Sequence, residues 1–320
     1  MSKRKTRETI YEVAVIGGGA AGLSAALNLA RARRTVIVID AGHPRNAPAK
    51  AAHGLLGNES IFPLELLSRG RAEALTYGAD ILKARVTEAK PADEYYALTL
   101  DDDRIITAQQ LVIATGIHDE LPDIAGLEAR WGRDVVHCPY CHGWEIRDRH
   151  IGVIATSRES VYQAMLFQQW SSHVTLFTHT IEFADSEIAA LDTKGIAVVD
   201  SAVLALEITR DSLTGVELAD GRTVAVEAVG IGSTTHANLD GLEALGLETH
   251  TEPHGTRLYA DELGHTNLSG IWGTGNVVNP NLQLSESAAH GARLAMTLNN
   301  EQIFAAANIA LAAAQEHTTK

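Results

Sequence analysis

The chain has very little cysteine. Only Cys138 and Cys141 occur among its 320 residues. Two thiols cannot make a structural disulfide framework, and in a reducing compartment a Cys-x-x-Cys pair indicates redox catalysis or metal binding. A histidine lies directly outside each cysteine, at His137 and His142. This dithiol is therefore the first candidate for chemistry.

Long apolar runs and excess positive charge are also lacking. No apolar run approaches the length of a membrane span, and residues 13–16 lack a signal-peptide pattern. We therefore expect a cytoplasmic protein without a membrane partner. The 26 basic residues are outnumbered by 40 acidic residues, and the formal net charge is −14. Such a surface repels phosphate backbones, which disfavours nucleic-acid binding. The basic residues 1–7 are the exception, and a frayed, solvated terminus explains them most simply.

A glycine motif follows the first predicted strand. The predicted order is strand, glycine motif, helix, strand and acid, at residues 11–16, 17–22, 23–34, 35–39 and Asp40. In such a unit Gly17 makes the tight turn, Gly19 lets the backbone approach a pyrophosphate, and Gly22 lets the helix pack on the strand. Asp40 lies where a carboxylate accepts a hydrogen bond from a ribose hydroxyl. With this context, the motif predicts a dinucleotide site rather than a glycine turn without a ligand.

The later segments predict a second α/β unit inserted into the first. Predicted strands lie at 86–88, 95–100, 104–107, 111–116, 151–155, 174–177, 198–209, 216–218, 223–226 and 269–273, with helices at 63–77, 160–170, 285–294 and 305–315. The length of 320 residues also favours two domains. We therefore predict an α/β fold of two Rossmann-like domains, the second inserted in the first.

The second predicted strand–helix–strand unit lacks a glycine motif. Ala155, Ser157 and Ser160 stand where the three glycines of a nucleotide loop would be. Their side chains would crowd a pyrophosphate. The following strand ends in residues 178–180, Thr-His-Thr, so no arginine is present there to hold a 2′-phosphate. This unit predicts a nucleotide fold without a nucleotide site.

These motifs, in this order, resemble the low-molecular-weight thioredoxin-reductase family of FAD disulfide oxidoreductases, from residue 13 to about residue 299. The matches are the glycine motif with Asp40, the Ala-Thr-Gly at 114–116, the Cys-Pro-Tyr-Cys at 138–141 and the Gly-Thr-Gly-Asn at 273–276. The resemblance implies bound FAD, with contacts from Gly17, Gly19, Ala20, Ala21, Gly22, Asp40, Ala41, Asn46, His53, Ala114, Thr115, Gly116, Gly275, Asn276, Gln283 and Leu284. The family usually has Asp at the position of Asn276, and Asn can also hydrogen-bond a ribityl hydroxyl.

The family's glycine-rich NADPH loop and its downstream His-Arg-Arg are both missing. Together with Cys-Pro-Tyr-Cys-His-Gly-Trp-Glu at 138–145 and His-Gly-Leu-Leu-Gly at 53–57, this looks like the dithiol-oxidase branch, whose members close the disulfides of gliotoxin, holomycin and similar natural products. The resemblance implies a small dithiol substrate, oxygen as electron acceptor and a homodimer. It also implies an FAD-binding domain at 1–118 and 251–320 and an inserted redox domain at 119–250.

By the same resemblance, Cys141 faces the flavin and Cys138 exchanges with substrate. We assign His142 as the general acid–base, because the ordinary histidine pKa lies near neutrality. His137 is a second candidate, and a purely structural hydrogen bond remains an alternative for His142. A zinc site is disfavoured, because both histidines adjoin the cysteines and no second Cys-x-x-Cys is present. We therefore expect no metal. His53 either lines the substrate side or packs a loop.

Two other functions stay open from the sequence. One is a thioredoxin-disulfide reductase that takes electrons from NAD(P)H or from ferredoxin. The other is a flavin-bound redox sensor without turnover.

Overall fold

The computed structural model describes residues 10–318, so the basic residues 1–7 lie outside the described residues. The strands are β1 (Ile10–Ile16), β2 (Val36–Asp40), β3 (Asp80–Lys83), β4 (Val86–Ala92), β5 (Tyr95–Leu100), β6 (Ile105–Ile113), β7 (Ile117–Glu120), β8 (Val135–Val136), β9 (Ile151–Ile154), β10 (Val174–Phe177), β11 (Ala197–Val199), β12 (Val203–Thr209), β13 (Ser212–Leu218), β14 (Thr223–Val224), β15 (Ala228–Ile231), β16 (Thr234–Ala237), β17 (Thr249–Glu252), β18 (Gly255–Leu258) and β19 (Ile271–Gly273). The helices are α1 (Ala20–Arg31), α2 (Pro63–Thr76), α3 (Leu127–Arg130), α4 (Pro139–His142), α5 (Ser160–Phe167), α6 (Asp185–Thr193) and α7 (Leu284–Thr318), with short 3₁₀ helices at Glu243–Leu245 and Gly275–Val277.

The described chain forms two compact units. The first comprises residues 10–45, 64–118 and 235–318, and the second comprises 46–63 and 119–234. The inserted unit therefore ends before the predicted residue 250, because Thr235 and His236 pair in parallel with Gly255 and Thr256 of β18. Residues 46–63 join the second unit as well, which the sequence did not predict. Pro48 of this loop packs against Gly132.

The first unit is built on a sheet with the order β3-β2-β1-β6-β5-β4, and β19 pairs with β6. Strand β1 pairs in parallel with both β2 and β6, and its residues from Val13 onward are buried. Such continuous burial is typical of a parallel strand covered on both faces. One strand, β6, replaces the two strands predicted at 104–107 and 111–116. Its residues 105–108 pair with β5 and its residues 107–113 pair with β1, so backbone pairing continues along the strand.

Helix α7 replaces the two helices predicted at 285–294 and 305–315. No glycine or proline interrupts residues 292–318, so nothing in the sequence stops the helix between the two predicted segments. The helix packs on α1 at Gly291, where an added Cβ would lie 2.0 Å from the carbonyl oxygen of Ala21. None of the described helices combines the length and the apolar composition needed to span a bilayer.

The second unit contains a parallel sheet with the order β11-β10-β9-β15-β8 and an antiparallel sheet with the order β12-β13-β14. The predicted strand 198–209 is split between β11 and β12, which belong to these two different sheets. A further small sheet has the order β17-β18-β16-β7, and its strands β17 and β18 belong to the first unit. The α/β class and the Rossmann-like character of both units are as predicted from the sequence.

We predict that Gly291→Ala weakens the first unit. The added methyl group meets the backbone of α1, which cannot move aside as a flexible side chain can, so the free energy of unfolding should fall by about 1–3 kcal/mol. Gly70→Ala in α2 is the matched control. Its Cβ would meet only the side chain of Leu23, at 3.3 Å, and a helical Gly→Ala change is ordinarily neutral or stabilising by up to ~1 kcal/mol. Denaturant unfolding followed by circular dichroism measures both, and equal stabilities would contradict the prediction.

Candidate active site

The dithiol lies on the short helix α4. Cys138 is extended, with φ −106° and ψ 117°, and is the residue before the helix. Its carbonyl oxygen accepts hydrogen bonds from the N–H groups of Cys141 and His142, each at 3.2 Å. Pro139 begins the helix, a position where its missing N–H costs nothing. The two Sγ atoms are 2.8 Å apart, so the pair can close a disulfide and open it again.

The residues beneath α4 fix its orientation in the second unit. A Cβ added at Gly143 would lie 2.4 Å from the carbonyl oxygen of Pro139 and 2.6 Å from the ring of Trp170. Only glycine lets this tryptophan pack so closely. The same ring meets Tyr140 edge-on, with centroids 5.7 Å apart. Gln163 of α5 donates to the carbonyl oxygen of His137 at 2.9 Å, so the main chain on the other side of the dithiol is also anchored.

His142 has two buried ring nitrogens. Neither has a hydrogen-bond partner among the described residues. Burial lowers the pKa of His142 below its ordinary value; the nearby charge of His53 lowers it further, and the carboxylate of Glu145 opposes the change. The imidazole is therefore neutral at pH 7, and a neutral imidazole is the form that accepts a proton.

His53 bridges two carboxylates in the same unit. Its Nδ1 lies 2.7 Å from Oε1 of Glu59, and its Nε2 lies 3.4 Å from Oε1 of Glu145. Glu59 also accepts a hydrogen bond from the N–H of Gly54 at 2.9 Å. The hydrogen bond from His53 lowers the pKa of the Glu59 carboxyl, so this group is ionised at neutral pH. Glu59 was not predicted from the sequence, because it lies six residues from His53 in a loop without periodicity.

The first unit contains a cradle at the N-terminus of α1. Gly17 has a φ of +107°, and an added Cβ would lie 2.3 Å from the carbonyl oxygen of Ala114. A Cβ at Gly22 would lie 2.0 Å from the carbonyl oxygen of Gly17, whereas a Cβ at Gly19 would meet nothing within 4 Å. No side chain caps the first turn, where Ala20 and Ala21 begin the helix. These N–H groups and the open space at Gly19 fit a pyrophosphate.

Asp40 follows β2 and is held in place by two donors. Arg71 of α2 donates to its Oδ2 at 2.6 Å, and the N–H of Gly42 donates to its Oδ1 at 3.0 Å. Ala41 lies between Asp40 and Gly42 in this turn. The carboxylate keeps further lone pairs for a ribose hydroxyl. Arg71 is a residue that the sequence did not single out, because nothing in a helix 31 positions later indicates a contact with this acid.

The turn after β6 presents a polar atom without a partner. The Oγ1 atom of Thr115 is buried and has no hydrogen-bond partner among the described residues. Asn238 occupies the neighbouring carbonyls, donating from Nδ2 to Thr115 at 3.2 Å and from its main-chain N–H to Gly116 at 3.0 Å. A buried polar group without a partner is costly, so a ligand that supplies one fits this turn.

The turn after β19 is anchored by His290 of α7. Its Nδ1 accepts the N–H of Gly275 at 3.0 Å and lies 3.1 Å from the hydroxyl of Thr274. Burial, with Arg293 nearby, lowers the pKa of His290. Nδ1 is therefore the acceptor nitrogen of a neutral ring. His290 is therefore held at this turn by contacts that local sequence patterns do not indicate.

Asn276 closes the loop that leads into α7. Its Nδ2 lies within 3.2 Å of the carbonyl oxygens of Asn279, Pro280 and Leu282. An aspartate could not donate these bonds, so asparagine has a structural reason to be here. Gln283, whose backbone was expected to contact the flavin, donates its N–H to Glu286 at 2.8 Å, and Leu284 directly after it begins α7.

Two of the residues predicted to contact the flavin lie outside the first unit. Asn46 and His53 belong to the second unit. Within that unit the carbonyl of Asn46 accepts from Ala49 in a local turn, and His53 makes the carboxylate contacts described above. Among the described residues, no group of three or more His, Cys, Asp or Glu side chains is arranged to hold a metal ion.

The turn between β9 and α5 does not fit a second pyrophosphate. Ala155 is fully buried and Ser160 is 3% exposed, so side chains fill the positions where a nucleotide loop needs glycine. The hydroxyl of Ser160 accepts the N–H of Thr156 at 3.2 Å, which takes a donor that a phosphate would need. Arg158 is paired with Glu187 at 2.6 Å. This turn therefore provides no cradle for the pyrophosphate of a nicotinamide dinucleotide.

Comparison with known proteins agrees with this architecture. A family profile described as pyridine nucleotide-disulphide oxidoreductase matches residues 11–294. A probable thioredoxin reductase from Arthroderma benhamiae is 30% identical over 191 residues, so the match spans 58% of this chain but only 47% of that relative. Thioredoxin reductase sirT from Leptosphaeria maculans is 28% identical over 306 residues, covering 89% of this chain and 92% of the relative. The crystal structure of HlmI has 38% identity and a TM-score of 0.90, with 98% and 99% of the two chains covered.

The fold and the glycine cradle define an FAD-dependent oxidoreductase of the thioredoxin-reductase-like type. The chain belongs to the pyridine nucleotide-disulphide oxidoreductase family.

We predict that Gly19→Val removes FAD without unfolding the chain. A Cβ at this position meets no protein atom within 4 Å, and the valine side chain fills the space needed for a pyrophosphate, so FAD affinity should fall by roughly tenfold or more. The ratio of flavin to protein absorbance measures the loss, with Gly70→Ala as a control outside the cradle. A variant that keeps a full complement of FAD would contradict this placement.

Proposed function

We propose that the protein is an FAD-dependent dithiol oxidase that forms a disulfide in a small dithiol, such as a natural product, with oxygen as the final electron acceptor. The single observation that carries the proposal is the contrast between the two units. The first unit has an open glycine cradle at Gly19, whereas Ala155 and Ser160 fill the corresponding turn of the second. The Cys138–Cys141 pair is therefore the proposed entry point for electrons, which a substrate dithiol supplies.

The substrate reaction is two successive thiol–disulfide exchanges. In the oxidised enzyme, a substrate thiolate attacks Sγ of Cys138, the Cys138–Cys141 bond breaks, and Cys141 leaves as a thiolate. The second substrate thiolate then attacks the substrate sulfur of the mixed disulfide, and Cys138 leaves. The substrate loses two electrons and becomes a disulfide, while the enzyme disulfide gains them and becomes a dithiol. Bound FAD supplies the two-electron acceptor that restores the enzyme disulfide and transfers the electrons to oxygen.

His142 is the proposed base in both exchanges. Each attacking thiol must lose its S–H proton, because the thiolate is the nucleophile. The neutral ring next to Cys141 in sequence can take that proton and return it to a leaving thiolate. His137 flanks Cys138 and is a second candidate for the substrate side. Within this proposal Cys141 is the sulfur that faces the flavin.

A pyridine-nucleotide- or ferredoxin-dependent thioredoxin reductase is the second candidate. It is favoured by the names of the relatives, several of which are thioredoxin reductases. It would need a nicotinamide site other than the filled turn after β9, or a protein electron donor. A flavin-bound redox sensor without turnover is a third possibility. For all three, we expect a homodimer in the cytoplasm.

We predict that the FAD-loaded protein consumes oxygen when it is given dithiothreitol. Cys138→Ser and Cys141→Ser should each lower the rate by about 10³-fold or more, because a serine cannot form the disulfide through which the electrons enter. An oxygen electrode measures the rate, and flavin content reports folding. Oxygen uptake that is absent in the wild type, or that survives both substitutions, would contradict the proposed oxidase. Turnover of thioredoxin with NADPH would instead establish the second candidate.

A further inference from the structure

His265 lies between two carboxylates in the first unit. Its Nδ1 is 2.9 Å from Oδ2 of Asp261, and its Nε2 is 2.8 Å from Oε1 of Glu301 on α7. An ionised carboxylate can only accept hydrogen bonds, and a neutral imidazole carries a single N–H. The two contacts can therefore both be hydrogen bonds only when the ring is protonated on both nitrogens.

The loop 261–265 is folded around the same aspartate. Oδ1 of Asp261 accepts the N–H groups of Leu263 and His265, each at 2.9 Å. One carboxylate oxygen thus closes the loop, while the other holds the imidazole. The ring of Trp272 on β19 lies against the His265 ring, with centroids 4.4 Å apart. These contacts fix the ring with Nε2 directed at α7.

The loop is also bonded to β19 beside one of the predicted flavin turns. The carbonyl oxygen of Gly264 accepts the N–H of Gly273 at 2.8 Å. Gly273 directly precedes residues 274–276, which include two of the predicted flavin contacts. His290 of α7 holds the same turn from the other side. The loop, β19 and α7 therefore form a closed set of contacts, in which His265 and Glu301 provide the ionic link.

We propose that His265 is a positioning residue for the flavin turn at 274–276, because its protonated ring joins the loop 261–265 to α7 and weakens this junction when it loses a proton. The proposal concerns the retention of FAD. It does not depend on which donor reduces the flavin.

The charged groups around His265 can be named for each element that packs against it. In residues 259–270 the other titratable side chains are Tyr259, Asp261 and Glu262, and β19 contains none. Residues 297–305 of α7 contain one charged residue, Glu301. The charges that act on His265 are those of Asp261 and Glu301, and both favour the protonated ring.

The pH dependence follows from these two contacts. Burial lowers the pKa of His265, but the hydrogen bonds to Asp261 and Glu301 outweigh burial and raise the pKa overall. A raised folded pKa means that the stabilisation is fully present below the ordinary value of about 6.5 and is lost as the pH rises through the raised value. Above that value one ring nitrogen presents a lone pair to a carboxylate, and the junction with α7 weakens.

The first measurement is the titration of His265 in the full-length, FAD-loaded protein. Histidine-selective NMR gives the midpoint, and His265→Gln identifies the signal. The midpoint should lie above the ordinary value of about 6.5. In Glu301→Gln a negative charge beside the ring is lost, so the midpoint should move to lower pH.

The second measurement is the rate of FAD release from the diluted holoprotein, followed by flavin fluorescence as a function of pH. In the wild type, release should become about two- to fivefold faster as the pH rises through the His265 midpoint, which is the range expected for one partly exposed ion pair. This step should be absent in His265→Gln, and in Glu301→Gln it should move to lower pH together with the midpoint. A merely structural role would change the rate equally at every pH.

His250→Gln is the control variant. His250 is an exposed histidine on β17 of the same unit, and its ring contacts Tyr259 with centroids 5.3 Å apart. Its replacement should leave the step in FAD release at the wild-type pH. A change that appears equally in this variant would show a general effect of histidine titration and would overturn the proposal.

The same pH profile of FAD release in the wild type and in His265→Gln would also overturn the proposal. If His265→Gln does not retain FAD at any pH, Glu301→Gln decides alone, and a step that stays at the wild-type pH there overturns the proposal. Neither measurement involves turnover, so rapid reduction of the flavin by NADPH would contradict the oxidase function without altering these results.

Discussion

The close approach of three backbone segments at Gly17 and Gly22 constrains the whole first unit. The carbonyl of Ala114 at the end of β6 lies where a Cβ of Gly17 would be, and the carbonyl of Gly17 lies where a Cβ of Gly22 would be. Strands β1 and β6 and helix α1 can meet this tightly only without side chains at these points. The same packing leaves the first turn of α1 uncapped and open beside Gly19, and it brings the buried hydroxyl of Thr115 to the adjacent turn. The backbone contacts that build this part of the fold therefore also form the cradle for a phosphate.

The second unit has the same parallel architecture without this constraint. The turn after β9 is filled by buried side chains, and the N–H of Thr156 is used within the turn. What the unit offers instead is a dithiol on α4, backed by Trp170 against Gly143, followed directly by the buried imidazole of His142. The filled turn and the dithiol followed by a neutral imidazole are the two features on which the proposed oxidase function rests, because thiol oxidation needs a proton acceptor and no hydride donor.

The sequence predicted the local elements well where one physical rule dominated. The periodicity and glycines of residues 11–40 predicted β1, α1 and β2, and the glycines missing at Ala155, Ser157 and Ser160 predicted a closed turn. The predicted boundaries were wrong for β6 and α7. Strand β6 is one strand because different neighbours pair with its two halves, and α7 is one helix because no glycine or proline interrupts it after Gly291. Contacts between distant segments were beyond local patterns. Three sets of contacts depend on tertiary structure that no spacing encodes: Arg71 on Asp40, Asn238 at Thr115, and His53 between Glu59 and Glu145.

The central claim is that electrons reach the flavin from a dithiol and not from a pyridine nucleotide. Anaerobic stopped-flow spectroscopy of the FAD-loaded protein tests this directly, with dithiothreitol and NADPH mixed in separately at equal concentrations. Because Cys138 and Cys141 form an exchange pair and the turn after β9 offers no cradle, dithiothreitol should bleach the flavin absorbance at least about 10²-fold faster than NADPH. Rapid bleaching by NADPH, with little or none by the dithiol, would contradict the assignment as a dithiol oxidase.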